Sequence, residues 1–156
     1  MIVRRATRAD LDAVGRLGAA LLRAHYGFDS QRFMAPMDGA EEGYAWFLGT
    51  QLGAGDSLVL VAEVSEDVVG YLYAGIEPRS WKELREEAGF IHDVLVDEAR
   101  RGEGIARALI DEATAWFRSR GVARMMLWTA AKNERARALF ERLGFRATMV
   151  EMTREL

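Results

Sequence analysis

The chain has 156 residues, of which half are hydrophobic and 29% are charged, and this is the composition of an ordinary globular domain. The absence of cysteine excludes disulfides, thiolate metal sites and a cysteine nucleophile, and two histidines are too few for a histidine-rich metal site. With a net charge of −3 and no basic stripe interleaved with aromatic residues, the sequence also argues against a nucleic-acid partner.

Hydrophobic periodicity predicts strands and helices in the order β-α-α-β-β-β-α-β-α-β. The first half is expected to contain a strand at 2–6, a helix from 7 to about 25, a helix at 41–52, and a hairpin of strands at 58–64 and 68–76. The second half is expected to contain a strand at 90–96, a helix at 102–120, a strand at 125–129, a helix at 133–143 and a last strand at 145–152. A hairpin combined with β-α-β crossovers implies an α/β (α+β) fold, with a mixed, mostly antiparallel central sheet flanked by helices. We expect a single domain over residues 1–156.

The charge is distributed unevenly along the chain. Residues 38–98 carry a net charge of −11, whereas residues 100–156 carry a net charge of +5. A basic C-terminal third suits a phosphate-rich ligand and an acidic middle suits a cationic one, although solvated helix faces explain the same pattern equally well. The start of the chain lacks the apolar stretch of a secretory signal, and the longest apolar run, 68–76, is far too short to span a bilayer. These features predict a cytoplasmic protein that does not contact a membrane.

The most informative segment runs from the apolar strand that ends at Val96 to the helix that follows Gly104. The loop between them contains two glycines, and an amphipathic helix follows at once. The start of a helix exposes unpaired backbone N–H groups and a partial positive charge, and glycine lets a ligand approach the backbone closely. These properties predict a pyrophosphate site. The segment is neither a P-loop nor a three-glycine dinucleotide fingerprint, and on these residues alone a tight turn without a ligand remains the alternative.

Two motifs in this half of the chain form a recognisable pair. Arg101, Gly104 and Ala106 give the pattern Arg-x-x-Gly-x-Ala, and a second pattern begins at Asn133 and runs to Phe145. With these motifs, their spacing and its opening residues 2–10, the chain resembles the GNAT family (GCN5-related N-acetyltransferases). The resemblance covers nearly the whole chain and is strongest over residues 90–145. It implies a GNAT-like acyl-CoA N-acyltransferase fold and acetyl-CoA as a co-substrate, without a metal.

The resemblance implies where the cofactor binds. The backbone of the strand at Val94, Leu95 and Val96 is expected to bind the pantetheine arm in the manner of an added strand. The loop amides are expected to hold the pyrophosphate, and Asn133 is expected to bond the cofactor from the other side. The loop residues concerned are Arg101, Gly102, Glu103, Gly104, Ile105 and Ala106. Asparagine also favours the N-cap position of a helix, so Asn133 has a structural reading beside the functional one.

The family's chemistry is direct attack of an amine on the thioester. The resemblance places the donor to the developing oxyanion at the Val94 amide, beside a strand bulge. His92 and Asp93 are the candidates for removing the proton from the ammonium, and the expected bulge leaves open which of them faces the cleft. Many family members supply a tyrosine to protonate the leaving thiolate. This chain has Phe140 at that position, so the usual general acid is absent.

The acceptor is expected to be a primary amine of a small molecule or peptide, and a cationic one because of the acidic middle segment. Its binding residues are expected to include Tyr26, Phe28, Tyr73 and Glu77, with Glu77 also a weaker candidate for the base. A homodimer is a further expectation. Two alternatives stay open at this point: a non-catalytic acyl-CoA-binding regulatory module, which Phe140 favours, and an unrelated phosphate or nucleotide binder.

Overall fold

The computed structural model describes residues 1–156 and contains one five-stranded sheet in the order β1-β2-β3-β4-β5. The strands are β1 (Ile2–Arg5), β2 (Ser57–Val64), β3 (Asp67–Glu77), β4 (Ala88–Val96) and β5 (Met125–Leu127). The helices are α1 (Leu11–Phe28), α2 (Ala40–Gln51), α3 (Ile105–Ser119) and α4 (Glu134–Arg142), and none of them has the length and hydropathy needed to cross a bilayer. Neighbouring strands are antiparallel except β4 and β5, which are parallel because α3 connects them. This arrangement confirms the predicted mixed, mostly antiparallel sheet.

The sheet is buried on both faces, because apolar residues occupy both sets of alternating positions along β2 and β3. On one face, Leu60 and Leu72 pack against α3 in a cluster that extends to Phe140 of α4. On the other face, Val61 and Tyr71 pack against α1 and α2. The centre of the sheet therefore lies between two helical layers.

Two glycines of α1 allow α2 to pack unusually close. A Cβ added at Gly18 would lie 2.4 Å from ring carbons of Tyr44, and one added at Gly15 would lie 2.5 Å from the carbonyl oxygen of Glu41. Neither contact is possible for a real side chain without movement of the helices. The close packing brings the Tyr44 ring near β4, where burial and the carboxylate of Asp93 together raise the pKa of Tyr44.

A β-bulge lies in β4 at His92. Tyr73 of β3 pairs with Asp93 while the next residue, Ala74, pairs with Ile91, so His92 is an extra residue in β4. Pairing between β4 and β5 stops at the same level, since Ile91 is the last β4 residue to have a partner in β5. Beyond the bulge, the β5-facing edge of β4 has no strand partner. The expected bulge is therefore present, and it coincides with the opening of the sheet.

One predicted strand is absent from the structure, and several predicted boundaries differ from it. The first helix continues to Phe28 instead of ending near His25. The strand predicted at 145–152 is wrong, because residues 145–156 form no helix or strand, and Met149 and Met152 are 78% and 86% exposed. The alternating pattern of this segment is typical of a strand, but a strand forms only where a neighbour supplies hydrogen bonds. Here the segment pairs with no strand, and it contacts the body through Phe145, which packs against Phe140, and through an ion pair between Glu151 and Arg32.

Candidate active site

The loop between β4 and α3 turns on two glycines in the left-handed region. Gly102 has φ +89° and Gly104 has φ +82°, a region that costs other residues about 1–2 kcal/mol. A Cβ at either position would meet nothing within 4 Å, so the backbone conformation and not space requires glycine there. These angles also explain why α3 begins at Ile105, later than the predicted residue 102.

The turn leaves a continuous run of free backbone donors. No protein group accepts a hydrogen bond from the backbone N–H of any residue from 102 to 107, and the first amide to find one is that of Ala108, which donates to Gly104 O at 3.0 Å. The run lies at the N-terminus of a 15-residue helix, whose dipole adds partial positive charge. Such a run of donors is suited to an anion with several oxygens.

The arginines of this loop are engaged with its own acids. Arg100 Nη2 lies 2.9 Å from Glu103 Oε2, and Arg101 Nη1 lies 3.2 Å from Glu98 Oε1. Both pairs are exposed, so they contribute little to stability and can exchange partners at low cost. The positive character of the loop therefore comes mainly from the backbone amides, with the arginines available at its rim.

The unpaired edge of β4 leads from the bulge to this loop. The edge comprises Val94, Leu95 and Val96, the residues predicted to bind a pantetheine arm. Its backbone groups on the β5 side face no other strand, so an extended amide chain could pair with them as β-augmentation does elsewhere. The edge therefore suits an extended arm, and the loop that follows it suits two linked phosphates at the end of that arm.

Asn133 forms the N-cap of α4. Its Oδ1 accepts a hydrogen bond from the Ala136 amide at 3.2 Å, so the structural reading of this residue is confirmed. No protein group accepts from its side-chain amide N–H groups, which leaves them free for a ligand. A direct role in cofactor binding stays a prediction.

The bulge places His92 and Asp93 on the same face of the sheet. The His92 ring stacks on Tyr73, and Asp93 accepts a hydrogen bond from Tyr71, and both tyrosines belong to the face covered by α1 and α2. In a regular strand two successive residues would point to opposite faces. The extra residue removes that alternation, so the structure brings together the two candidate bases that the sequence could not choose between.

The environment of Asp93 favours its neutral form more than water does. Burial raises the pKa of Asp93, although the hydroxyl of Tyr71, 3.0 Å from Oδ2, opposes the shift by donating to the carboxylate. The positive forms of His92 and His25 oppose it as well. Burial also raises the pKa of Tyr71 well above its usual range, so this hydroxyl keeps its proton and acts as a donor.

His92 lies at the edge of a recess of about 220 Å³ between the β3–β4 loop and the end of β5. The recess is lined by Glu77, Glu83, Arg85, Phe90, His92 and Trp128. Trp128 is 71% exposed and meets Phe90 edge-on at 5.2 Å. A larger recess of about 340 Å³ lies near the Asp56–Arg120 ion pair, but it contains none of these aromatic groups. The smaller recess reaches His92 at the bulge of β4, and we therefore take it as the candidate acceptor site.

The β3–β4 loop holds Glu83 at the recess through Arg85. Arg85 forms an ion pair with Glu83, and its Nη1 donates to the carbonyl oxygen of Pro78 at 2.9 Å. A reciprocal pair of backbone hydrogen bonds between Ser80 and Arg85 closes this loop. Glu83 uses one carboxylate oxygen for Arg85, and no protein group donates to the other.

The residues predicted to bind the acceptor fall into two groups. Glu77 lines the recess, and Tyr73 stacks on His92 beside it. Tyr26 and Phe28 lie at the end of α1 and do not line the recess, although Phe28 contacts the ring of His25 edge-on at 5.9 Å. Sequence reasoning missed Glu83, Phe90 and Trp128. The position of Trp128 directly after a strand was a usable signal, because the carboxyl ends of parallel strands commonly meet at a site.

Phe140, in place of the tyrosine of many family members, is a core residue. Only 7% of it is exposed, and it packs in the cluster beneath α3 and edge-on against Phe145 at 5.8 Å. It supplies no hydroxyl to a leaving group.

Comparisons with known proteins agree with this geometry. The model of the acetyltransferase (GNAT) family matches residues 20–145. An N-acetyltransferase of Methanocaldococcus jannaschii is 30% identical over 143 residues, which are 92% of this chain. This chain spans 59% of the length of that relative and 56% of a Bacillus subtilis N-acetyltransferase to which it is also similar. Among solved structures, a tetramutant of the BH1408 protein of Bacillus halodurans has a TM-score of 0.84 at 25% identity, with all of both chains covered. The aminoglycoside N-acetyltransferase AAC(6')-Iy, solved in complex with CoA, shares the fold with a TM-score of 0.77 at 18% identity, over 99% of this chain and 93% of its own. The chain belongs to the GNAT family.

Proposed function

We propose that this protein is an acetyl-CoA-dependent N-acetyltransferase that moves an acetyl group from coenzyme A to a primary amine of a small molecule or peptide. The observation that carries the proposal is the run of free backbone N–H groups at residues 102–107, which lies at the head of α3 and adjoins the unpaired edge of β4. Membership of the GNAT family and the likeness to a fold solved with CoA support the same cofactor.

In this proposal the cofactor lies along β4 with its phosphates at α3. The amides of the loop Arg101, Gly102, Glu103, Gly104, Ile105 and Ala106 hold the pyrophosphate. The backbone of Val94, Leu95 and Val96 pairs with the amides of the pantetheine arm. The side-chain amide of Asn133 bonds the cofactor from α4. This orientation brings the thioester to the bulge, beside His92 and Asp93.

The acceptor reacts by direct attack. Its ammonium, with a pKa near ~10, transfers a proton to a base, and the freed electron pair forms the C–N bond to the thioester carbonyl carbon. The Val94 amide donates to the oxyanion, and collapse of the tetrahedral intermediate breaks the C–S bond. The nitrogen, which still carries one hydrogen more than the amide product, releases this second proton to solvent as the amide forms. The sulfur leaves as a thiolate, which with a thiol pKa of about 8.5 needs no protein acid. The absence of a hydroxyl at Phe140 is therefore compatible with turnover.

The recess beside His92 suits a cationic acceptor. Glu83 has a carboxylate oxygen without a protein donor, and the exposed indole of Trp128 offers a π face. Tyr26 and Phe28, at the end of α1, are proposed to contact the distal part of a longer acceptor. A polyamine or a lysine-like amine is the class that fits, and neutral or acidic amines are expected to react more slowly.

The proposal is tested by binding and turnover together. Coenzyme A and acetyl-CoA should raise the Tm, whereas ATP and NAD at equal concentration should not. Incubation with acetyl-CoA and a panel of cationic, neutral and acidic amines should release free thiol, fastest with the cationic ones. If ATP or NAD stabilises the fold and coenzyme A does not, the protein is an unrelated nucleotide binder and the proposal is wrong.

The second function, a non-catalytic acyl-CoA-binding regulatory module, is favoured by Phe140. It predicts that acetyl-CoA binds in calorimetry while no amine in the panel produces thiol.

A homodimer contact is proposed at two exposed aromatic residues of α2, Trp46 and Phe47, whose exposed fractions are 73% and 41%. Analytical ultracentrifugation of the parent and of Trp46→Ala tests this contact.

A further inference from the structure

The imidazole of His92 is held on three sides. Its ring stacks on Tyr73 with centroids 4.9 Å apart and on Phe90 with centroids 5.0 Å apart, at interplanar angles of 27° and 23°. Its Nε2 lies 3.0 Å from Oε1 of Glu77. The two aromatic rings restrict the plane of the imidazole, and the carboxylate restricts its rotation within that plane. This surface histidine therefore has one defined orientation.

The partner of Nε2 determines where the ring proton lies. An ionised carboxylate only accepts hydrogen bonds, so the neutral ring carries its proton on Nε2 and its lone pair on Nδ1. No protein group bonds to Nδ1 of His92. Glu77 therefore selects the tautomer in which the basic nitrogen is unoccupied. The aspartate of a catalytic triad serves its histidine in the same way.

The same surroundings stabilise the ring after it takes up a proton. The imidazolium then forms an ion pair with Glu77, and two aromatic faces contact the charged ring. The other ionisable groups nearby are otherwise engaged: Glu83 and Arg85 pair with each other, and Asp93 accepts from a buried tyrosine. Burial also raises the pKa of Tyr73, so that ring is neutral at physiological pH. Glu77 is thus the carboxylate that directly bonds the imidazole.

We infer that Glu77 is a positioning residue for His92, and that Nδ1 of His92 is the proton acceptor for the attacking amine. The inference rests on the proposed function. In the step, the N–H bond of the acceptor ammonium breaks, the proton passes to Nδ1, and the electron pair stays on nitrogen to attack the thioester. Glu77, expected from sequence to bind the substrate, instead orients the base. Asp93 interacts with His92 electrostatically and does not accept the proton.

The test compares Glu77→Gln with Glu83→Gln, which removes one carboxylate charge from the same recess without touching His92. Glu77→Gln should lower kcat about tenfold to a hundredfold with little change in KM, the range seen when a carboxylate that orients a metal-binding histidine is lost. Glu83→Gln should raise KM with little change in kcat.

A double variant separates orientation from general electrostatics. Adding Glu77→Gln to His92→Ala should cause no further loss in kcat, because the two residues act as a unit. Additive losses in the double variant, or equal losses of kcat in Glu77→Gln and Glu83→Gln, would overturn the inference.

A measurement without turnover keeps the inference separate from the proposed function. In ¹⁵N spectra of the cofactor-free protein at a pH where the ring is neutral, the parent should show the His92 proton on Nε2, and Glu77→Ala should share it between the two nitrogens. A proton on Nδ1 in the parent refutes the inference whatever the enzyme does. If no amine is turned over by the parent, the proposed function fails, and the catalytic half of the inference fails with it.

Discussion

Replacing Gly104 by alanine tests whether the free amides at α3 are a phosphate site. Gly104 has φ +82°, and a methyl group there meets no atom within 4 Å, so the substitution adds backbone strain without a clash. The strain is about 1–2 kcal/mol, and the loop can relieve it by leaving the left-handed region. Leaving that region turns one or two amides away from the phosphates, at about 1.5–3 kcal/mol for each hydrogen bond to a charged group. We expect the Kd for coenzyme A to rise about a hundredfold.

Gly121 offers a matched control. It follows α3 at its other end, has φ +71° and also has open space around its Cβ position. Gly121→Ala should lower the free energy of unfolding by about the same 1–2 kcal/mol as Gly104→Ala, because the strain is similar. Its affinity for coenzyme A should not change. The two variants therefore separate damage to the fold from damage to the binding site.

The assay is isothermal titration calorimetry with coenzyme A and, in parallel, with pantetheine, which lacks the phosphates. Pantetheine should bind the parent and both variants with similar, weak affinity. If Gly104→Ala binds coenzyme A as tightly as Gly121→Ala does, the amides of the loop do not hold the pyrophosphate and the reasoning is refuted.

Three further predictions concern packing and titration. Gly18→Ala places a methyl group within 2.4 Å of the Tyr44 ring and should lower the free energy of unfolding by about 1–3 kcal/mol in chemical denaturation. The control, Gly43→Ala, lies in the interior of α2 with open space around the added methyl group, and it should be neutral or stabilising in the same assay. The hydrogen-bonded ion pair with Arg4, at 2.8 Å, lowers the pKa of Asp10 from 3.8 to about 2. The ion pair should stabilise the fold by about 1–2 kcal/mol after a discount for solvent screening, fully above about pH 4 and progressively less as the pH falls towards 2. Asp10→Asn should remove this pH dependence in urea melts. Asp93→Asn should raise the Tm at pH 8 more than at pH 4, because a carboxyl whose pKa is raised by burial destabilises the fold once it ionises; equal shifts at both pH values would contradict the assigned environment.

The sequence was sufficient to predict most of the cofactor half of the candidate site. Gly102 and Gly104 stand at positive φ between a strand and an amphipathic helix, and that signal is local: it depends on residue type and spacing within one stretch of chain. Asn133 was predictable as an N-cap for the same reason, because a cap is decided within four residues of a helix start.

The acceptor half of the candidate site was harder to predict from the sequence, because its residues come together only in the tertiary structure. Glu83 comes from the β3–β4 loop, Phe90 from β4 and Trp128 from the residue after β5, so no local pattern joins them. The wrong strand at 145–152 has the related cause that pairing is non-local. Its alternating residues satisfy the local rule for a strand, but they pair with no neighbour in this structure.

One inserted residue in β4 accounts for both halves of the proposed chemistry. Without His92, the register between β3 and β4 would be continuous, and regular alternation would separate neighbouring side chains onto opposite faces. With it, His92 and Asp93 share the face of Tyr71 and Tyr73, and the bulge stands where the pairing with β5 stops. The same local distortion that puts the base in its place therefore coincides with the free edge on which the pantetheine arm is proposed to lie. That coincidence is why the thioester and the proton acceptor are expected to meet at this point of the strand.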